Sequence, residues 1–222
     1  ALRFNLANVG YAIPESVRVQ CRFRHLANAD AANVIAPRGP MSAMFARCRL
    51  LAGGVVLEDC TAFARDTAGL HKLMSRQAFI DLCNESFLVD LATTGGAVET
   101  IPEAGTWVFD TIARNASKRI QMPLFAMGLF SQPKILPLLM PNNLVLALEH
   151  TPQADSWLRS DGGRSTEWPL EDICMKMDLL TLDPEIDAQI MAKLQQGVEL
   201  PIPIRTFITT TQVLAARDFN LQ

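Results

Sequence analysis

Apolar and polar residues alternate in "VRVQCRFRHL", residues 17–26. Val17, Val19, Cys21 and Phe23 take the odd positions, and Arg18, Gln20, Arg22 and Arg24 the even ones. Side chains alternate faces along a strand, so the pattern predicts a strand with one apolar face and three guanidinium groups on the other. The next stretch, "ANADAANVIAPRGP", is rich in Ala, Asn and Pro and reads as a loop. "SAMFARCRLL" alternates again, with Met44, Ala46, Cys48 and Leu50 on one face. "AGG" at 52–54 tolerates positive φ and "VVLE" follows, which predicts a hairpin.

The period changes over residues 61–89. Phe63, Leu70, Leu73 and Met74 form one helical stripe, and Phe79, Leu82, Cys83 and Phe87 a second, with a break near 75–77. "TTGGAVETIPEAG" is loop-like. Strand signals resume in "TWVFDTI" and in "KRIQMPLF", where Ile120, Met122 and Leu124 share a face. "GLFSQPKILPLLMPNN" holds one short strand, with Pro133, Pro137 and Pro141 suited to edges or strand ends. "LVLALE" places Leu144, Leu146 and Leu148 inward. "TPQADSWLRSDGGRSTEWP" is polar, carries Gly-Gly and is bounded by prolines, as a linker would be.

Beyond it, Ile173, Met175, Met177 and Leu179 share a face of "DICMKMDLL". "LDPEIDAQIMAKLQQG" predicts a helix with Asp183 as N-cap, Pro184 at the first helical position, an Ile186–Ile190–Leu194 stripe and Gly197 just past the end. The closing "VELPIPIRTFITTTQVL" is β-rich. Short strands dominate and helices are few. The expected fold is mainly β: an antiparallel jelly-roll sandwich with inserted helices over residues 1–164, then the start of a second, incomplete roll over 165–222. Two strands cannot close a sandwich. The segment after the linker must therefore pack on the first roll, swap onto a neighbour or stay mobile.

At 222 residues the chain can bury a core without disulfides or metals, and 49% hydrophobic residues favour a folded globule. The formal net charge of −3 argues against a general polyanion binder. No run reaches the roughly 18 apolar residues of a membrane helix, and no secretion signal is visible. The first residue is Ala1, which suggests a processed or trimmed terminus. Cys21, Cys48, Cys60, Cys83 and Cys174 form no C-x-x-C pair. Four of them, all but Cys60, lie in apolar or alternating runs and read as small buried hydrophobes of a reducing compartment.

The candidate chemistry is sparse. His25, His71 and His150 are far apart, with no H-x-H or H-E-x-x-H motif. His71 has Cys60 and Asp66 upstream, without a motif for metal or Cys–His catalysis. Glu58-Asp59 and Glu171-Asp172 are adjacent strand residues that point to opposite faces, so they read as solvated strand ends and not as dyads. The Gly-Gly pairs lack the pattern of a phosphate loop. No catalytic, cofactor-binding or metal residue is assigned, and no cofactor is expected. The arginine face remains. A strand that grips single-stranded nucleic acid sets aromatic platforms beside its cations, but Phe23 lies opposite Arg18, Arg22 and Arg24. That face reads as a solvent face or a protein interface, with no specific nucleic acid expected.

The order of the motifs carries more than their chemistry. "SVRVQCRFRHLAN", "SAMFARCRLLAGGVVLED", "LFSQPKILPLL", "LVLALEH", "WPLEDICMKMDLLTLDPEI" and "LQQGVELPIPIRTF" follow in sequence. Together they resemble the N-terminal portion of the double jelly-roll major capsid proteins of Polintons, Polinton-like viruses and large eukaryotic DNA viruses. The matching pieces are Gly53 and Gly54, Gly128 to Phe130 with Lys134 to Leu138, and Leu170 to Asp172 with Asp178 and Asp183. Family members are longer, so the chain reads as a fragment or a shortened derivative. The resemblance implies a viral structural protein without catalysis. It implies homotrimers that tile an icosahedral shell with neighbouring capsomers, and penton or minor capsid proteins as further partners. It implies a location in the virion after synthesis in the host nucleus or cytoplasm. The alternative is a carbohydrate- or receptor-binding β-sandwich module, for which Trp107, Trp157 and Trp168 are the only tryptophans. A jelly-roll enzyme is disfavoured by the missing histidine pair.

Overall fold

The computed structural model describes residues 1–6, 10–26, 34–37, 40–73, 112–138, 144–151, 158–160, 168–199, 201–202 and 204. These residues form a mainly β, antiparallel structure with few helices.

One sheet has four strands in the order β1-β10-β5-β6. They are β1 (Leu2–Asn5), β10 (Leu144–His150), β5 (Phe45–Ala52) and β6 (Val55–Cys60). The β5–β6 hairpin turns where expected, with Gly53 at φ 56 and Gly54 at φ 85. Those angles are costly for residues with a Cβ. Leu144, Leu146 and Leu148 face inward as their spacing requires. β5 departs from strict alternation. Arg47 pairs with Glu149 but Phe45 with His150, so Ala46 is the extra residue of a bulge. The bulge sends Phe45 into the core, and Ala46 is only half-buried.

The remaining strands form three patches that line up as one interrupted ribbon. Its middle row is β2 (Tyr11–Ala12), β3 (Arg18–Arg24) and β4 (Val34–Pro37). One flank is β7 (Ile112–Ala113), β8 (Ser117–Pro123) and β9 (Leu136–Pro137). The other is β11 (Leu158–Ser160), β12 (Leu170–Lys176) and β13 (Leu179–Leu180). Each flank runs antiparallel to the middle row, patch by patch. Backbone bonds extend the pairing past the patch ends: Leu138 to Gly10 and His25 to Ala116, both at 3.0 Å, and Ile13 to Asp178, also at 3.0 Å.

The strand expected at 17–26 is thus preceded by two others, and β4 lies in a stretch that reads as loop. The expected boundary at 164/165 does not separate the sheets, because β12 pairs with β3 and β13 with β2. Of this segment, β12 and β13 are thus paired with strands of residues 1–164. Ile173, Met175 and Met177 pack on the core, while Leu179 stays exposed.

The inner faces meet in one apolar cluster. Val19, Cys21, Phe23, Ile120 and Met122 of the ribbon join Phe45, Cys48, Leu50, Leu146 and Leu148 of the four-stranded sheet. Helix α1 (Phe63–Leu73) closes one side through Phe63, which is fully buried. Leu70 packs against the core, but Leu73, expected on the same stripe, is 84% exposed. The second helical stripe, with Cys83, lies outside the described residues.

Helix α2 (Pro184–Gln195) follows β13. The Asp183 side chain accepts the amide of Glu185 at 2.9 Å, Pro184 opens the helix, and Gly197 beyond it has φ 77. All three signals stand where the sequence places them. The stripe does not find full cover: α2 buries no residue, and Ile186 is 50% exposed. Tyr11 ties the helix to the sheet by donating to Asp187 at 2.5 Å, and this bond pushes the tyrosine pKa up to about 12.

Candidate interaction face

The arginine face is the outer surface of the β12-β3-β8 patch. Val17, Val19, Cys21 and Phe23 are buried, which turns Arg18, Arg22 and Arg24 outward. β12 supplies their neighbours through a backbone irregularity. Glu171 pairs with Arg22 and Cys174 with Gln20, so two residues of β12 face one of β3 between them. Asp172 sits at φ 51 inside this bulge. Normal alternation would put Glu171 and Asp172 on opposite faces. The bulge lets both reach the arginines. Asp172 pairs with Arg22 at 3.0 Å and Glu171 with Arg24 at 3.4 Å.

Two further cations stand on this face. Lys176 stands directly opposite Arg18 across β12–β3, and Arg119 directly opposite Arg22 across β3–β8. Lys176 and Arg119 are both exposed. Like charges directly opposite on a sheet destabilise it. The outer face of the other sheet also pairs its arginines with carboxylates. There Arg47 donates to both Asp59 oxygens, at 2.8 and 2.5 Å, and Arg49 donates to Glu149.

Glu58 and Asp59 lie in opposite surroundings. Asp59 is the outward residue of its pair, and the Arg47 hydrogen bond holds it below the usual carboxylate range. Glu58 corrects the expectation of a solvated strand end. It lies opposite Leu50, is only 3% exposed and accepts the amides of Gly128 at 2.6 Å and Leu129 at 3.4 Å. Burial raises its pKa, and the two backbone bonds work against that rise. Val55, Val56 and Leu57, on the same strand, are exposed.

The histidines are dispersed. His25 is fully buried, with Nδ1 donating to the Ile112 carbonyl at 3.2 Å. His150 Nδ1 donates to the Thr151 carbonyl at 2.7 Å, and burial lowers its pKa. The side chain of His71 lies outside the described residues. Its upstream neighbours do meet, since the Cys60 thiol donates to Asp66 at 3.3 Å. Burial, followed by Asp66, pushes that thiol up to about 12, away from a nucleophilic thiolate. Among the described residues no three His, Cys, Asp or Glu side chains are grouped to hold a metal. Among the described helices none is long and apolar enough to cross a membrane.

Cys21, Cys48 and Cys60 are buried free thiols. Cys174 corrects the reading of its run as buried. It pairs with Gln20 on the outer face and is exposed. Trp168 is not a free sugar platform. Its ring stacks on His150 at 4.8 Å and on Phe23 at 6.2 Å, packed against the core. Trp107 and Trp157 lie outside the described residues.

No family model and no curated protein matches the sequence.

Proposed function

We propose that the chain is a structural protein of a virus shell, the N-terminal portion of a double jelly-roll major capsid protein that associates into trimers. The observation that carries this reading is where the resembling motifs fall. "SVRVQCRFRHLAN" supplies β3, "SAMFARCRLLAGGVVLED" the β5–β6 hairpin, and "LVLALEH" β10. "WPLEDICMKMDLLTLDPEI" supplies β12, β13 and the start of α2. Stretches that resemble the family in order also build both sheets. The Glu58 bonds to Gly128 and Leu129 join the "VVLED" motif to the "GLF" motif, so two of the pieces are mutually dependent.

In this reading residues 170–180 serve the first roll, and the function is assembly with no chemistry. The partners are copies of the same chain, neighbouring capsomers, and penton or minor capsid proteins, in a virion. Negative-stain imaging of the purified protein tests the proposal. Three-lobed particles are expected. A field of monomers at concentrations well above micromolar would contradict it. The sugar-binding alternative loses Trp168 to packing.

A further inference from the structure

The β5–β6 hairpin sets two thiols opposite each other. Its first pairs are Ala52 with Val55 and Leu51 with Val56, and continued in step they would put Asp59 opposite Cys48. The register shifts between Leu50 and Leu51, with Glu58 opposite Leu50, and Cys60 comes opposite Cys48 instead. Both cysteines are buried on the core side. Directly opposite residues of an antiparallel pair hold their Cα atoms about 4.5 or about 5.5 Å apart, and a disulfide spans about 4.4–6.8 Å. Cys21 stands opposite Ile120 and Cys174 opposite Gln20, so neither faces a thiol in register.

Cys60 also has a tie of another kind. Its thiol donates to Asp66, in the first turn of α1, at 3.3 Å. One sulfur therefore serves two elements: its proton goes to the helix and its register faces β5. A disulfide sulfur carries no proton, so closing a bond to Cys48 ends the bond to Asp66.

We propose that Cys48 and Cys60 are a redox couple: hydrogen peroxide closes them to a cross-strand disulfide, and closure exchanges the tie of β6 to α1 for a covalent tie to β5. The Cys60 thiol gives its proton to water, and its sulfur attacks one peroxide oxygen. The O–O bond breaks, the sulfenic acid of Cys60 forms, and the departing hydroxide takes up a proton and leaves as water. The Cys48 sulfur then attacks the Cys60 sulfur. The S–O bond breaks, and the Cys48 proton leaves with that hydroxide as a second water. Two electrons pass from the thiol pair to the peroxide. Burial and Asp66 keep Cys60 protonated, so the couple answers sustained oxidant, after the exposed Cys174. Protein that meets no peroxide stays in the dithiol form. None of this depends on the capsid reading.

The test uses the full chain with Cys83→Ser and Cys174→Ser, which removes the exposed thiol and the one outside the described residues. After prolonged treatment with excess hydrogen peroxide, peptide mapping without reductant is expected to recover Cys48 joined to Cys60. The melting midpoint is expected to rise by several degrees and to fall back in dithiothreitol, which reverses a disulfide and leaves methionine sulfoxide in place. Amides of α1 are expected to exchange about fivefold faster in the oxidised form, the factor one hydrogen bond is worth, while those of β5 and β6 slow. Cys48→Ala in the same background is expected to show no reversible rise. The peptide map of the unsubstituted pair decides the question by itself, whether or not that variant folds.

Cys48 and Cys60 both recovered as thiols, or carried to sulfinic acid without a link, would overturn the proposal. So would a link made from Cys21. A Cys48–Cys60 link that leaves α1 exchange unchanged would overturn the exchange of ties.

Discussion

The Glu58 carboxylate accepts the Gly128 amide at 2.6 Å, a bond between residues 70 positions apart. It holds the turn after β8 against the inner side of the β5–β6 hairpin. Removing it as Glu58→Ala leaves two buried amides without acceptors, a loss of about 2 kcal/mol on the scale of unmade buried hydrogen bonds. The Glu58→Gln variant separates charge from bonding. The folded pKa is raised, so the stability due to protonation is present at low pH and is lost as pH rises through the folded value. Wild type should therefore gain on Glu58→Gln as pH falls from about 7 to about 4.5, read by denaturant midpoints. A difference moving the other way would show that the fold prefers the anion.

His150 has the opposite sign. Burial against Trp168 favours the neutral ring and lowers its pKa. Its contribution is present above the ordinary histidine value, about 6.5, and is lost as pH falls through the folded value. Wild type should lose stability against His150→Phe over the pH range below about 6.5. Parallel stability curves for the two proteins would show that His150 does not titrate differently on folding.

The thiols should separate by exposure. Cys174 is expected to alkylate first, ahead of Cys21, Cys48 and Cys60, which lie in the core. Peptide mapping after a short pulse of reagent reads this directly. Melting midpoints with and without reductant should agree, since these four thiols are free. A midpoint that drops many degrees in reductant would point to a disulfide holding the fold.

Residues 170–176 and α2 should behave differently although they adjoin. β12 is bonded along β3, so its amides should exchange with protection like that of β3. Helix α2 buries nothing and leans on the Tyr11–Asp187 bond, so it should exchange faster. Tyr11→Phe should speed α2 exchange further and cost the core only about 1 kcal/mol, the worth of one hydrogen bond. Equal protection of α2 and β12 would show that α2 has cover in solution.

Much of the sandwich was legible because periodicity is a local signal. The strands at Arg18–Arg24, Ser117–Pro123 and Leu144–His150, the Gly53-Gly54 turn and the Asp183 cap all follow from residue order. What escaped was set by bulges and long-range bonds. Ala46 and Asp172 each shift a strand's facing, and nothing in either residue type announces a bulge. The burial of Glu58 depends on amides of the "GLF" turn, invisible from "VVLED" alone. β4 was hidden because Val34–Pro37 is short and flanked by Ala, Asn and Pro. The arginine face was legible as a face. Its carboxylate partners from β12 were not, because that pairing links residues on opposite sides of a linker-like stretch.

We propose that this chain serves by meeting copies of itself. Sedimentation equilibrium across a wide concentration range at low salt tests it most directly. The account predicts a mass that rises to three times that of the chain and reaches a plateau there. A single-chain mass at every concentration would contradict it.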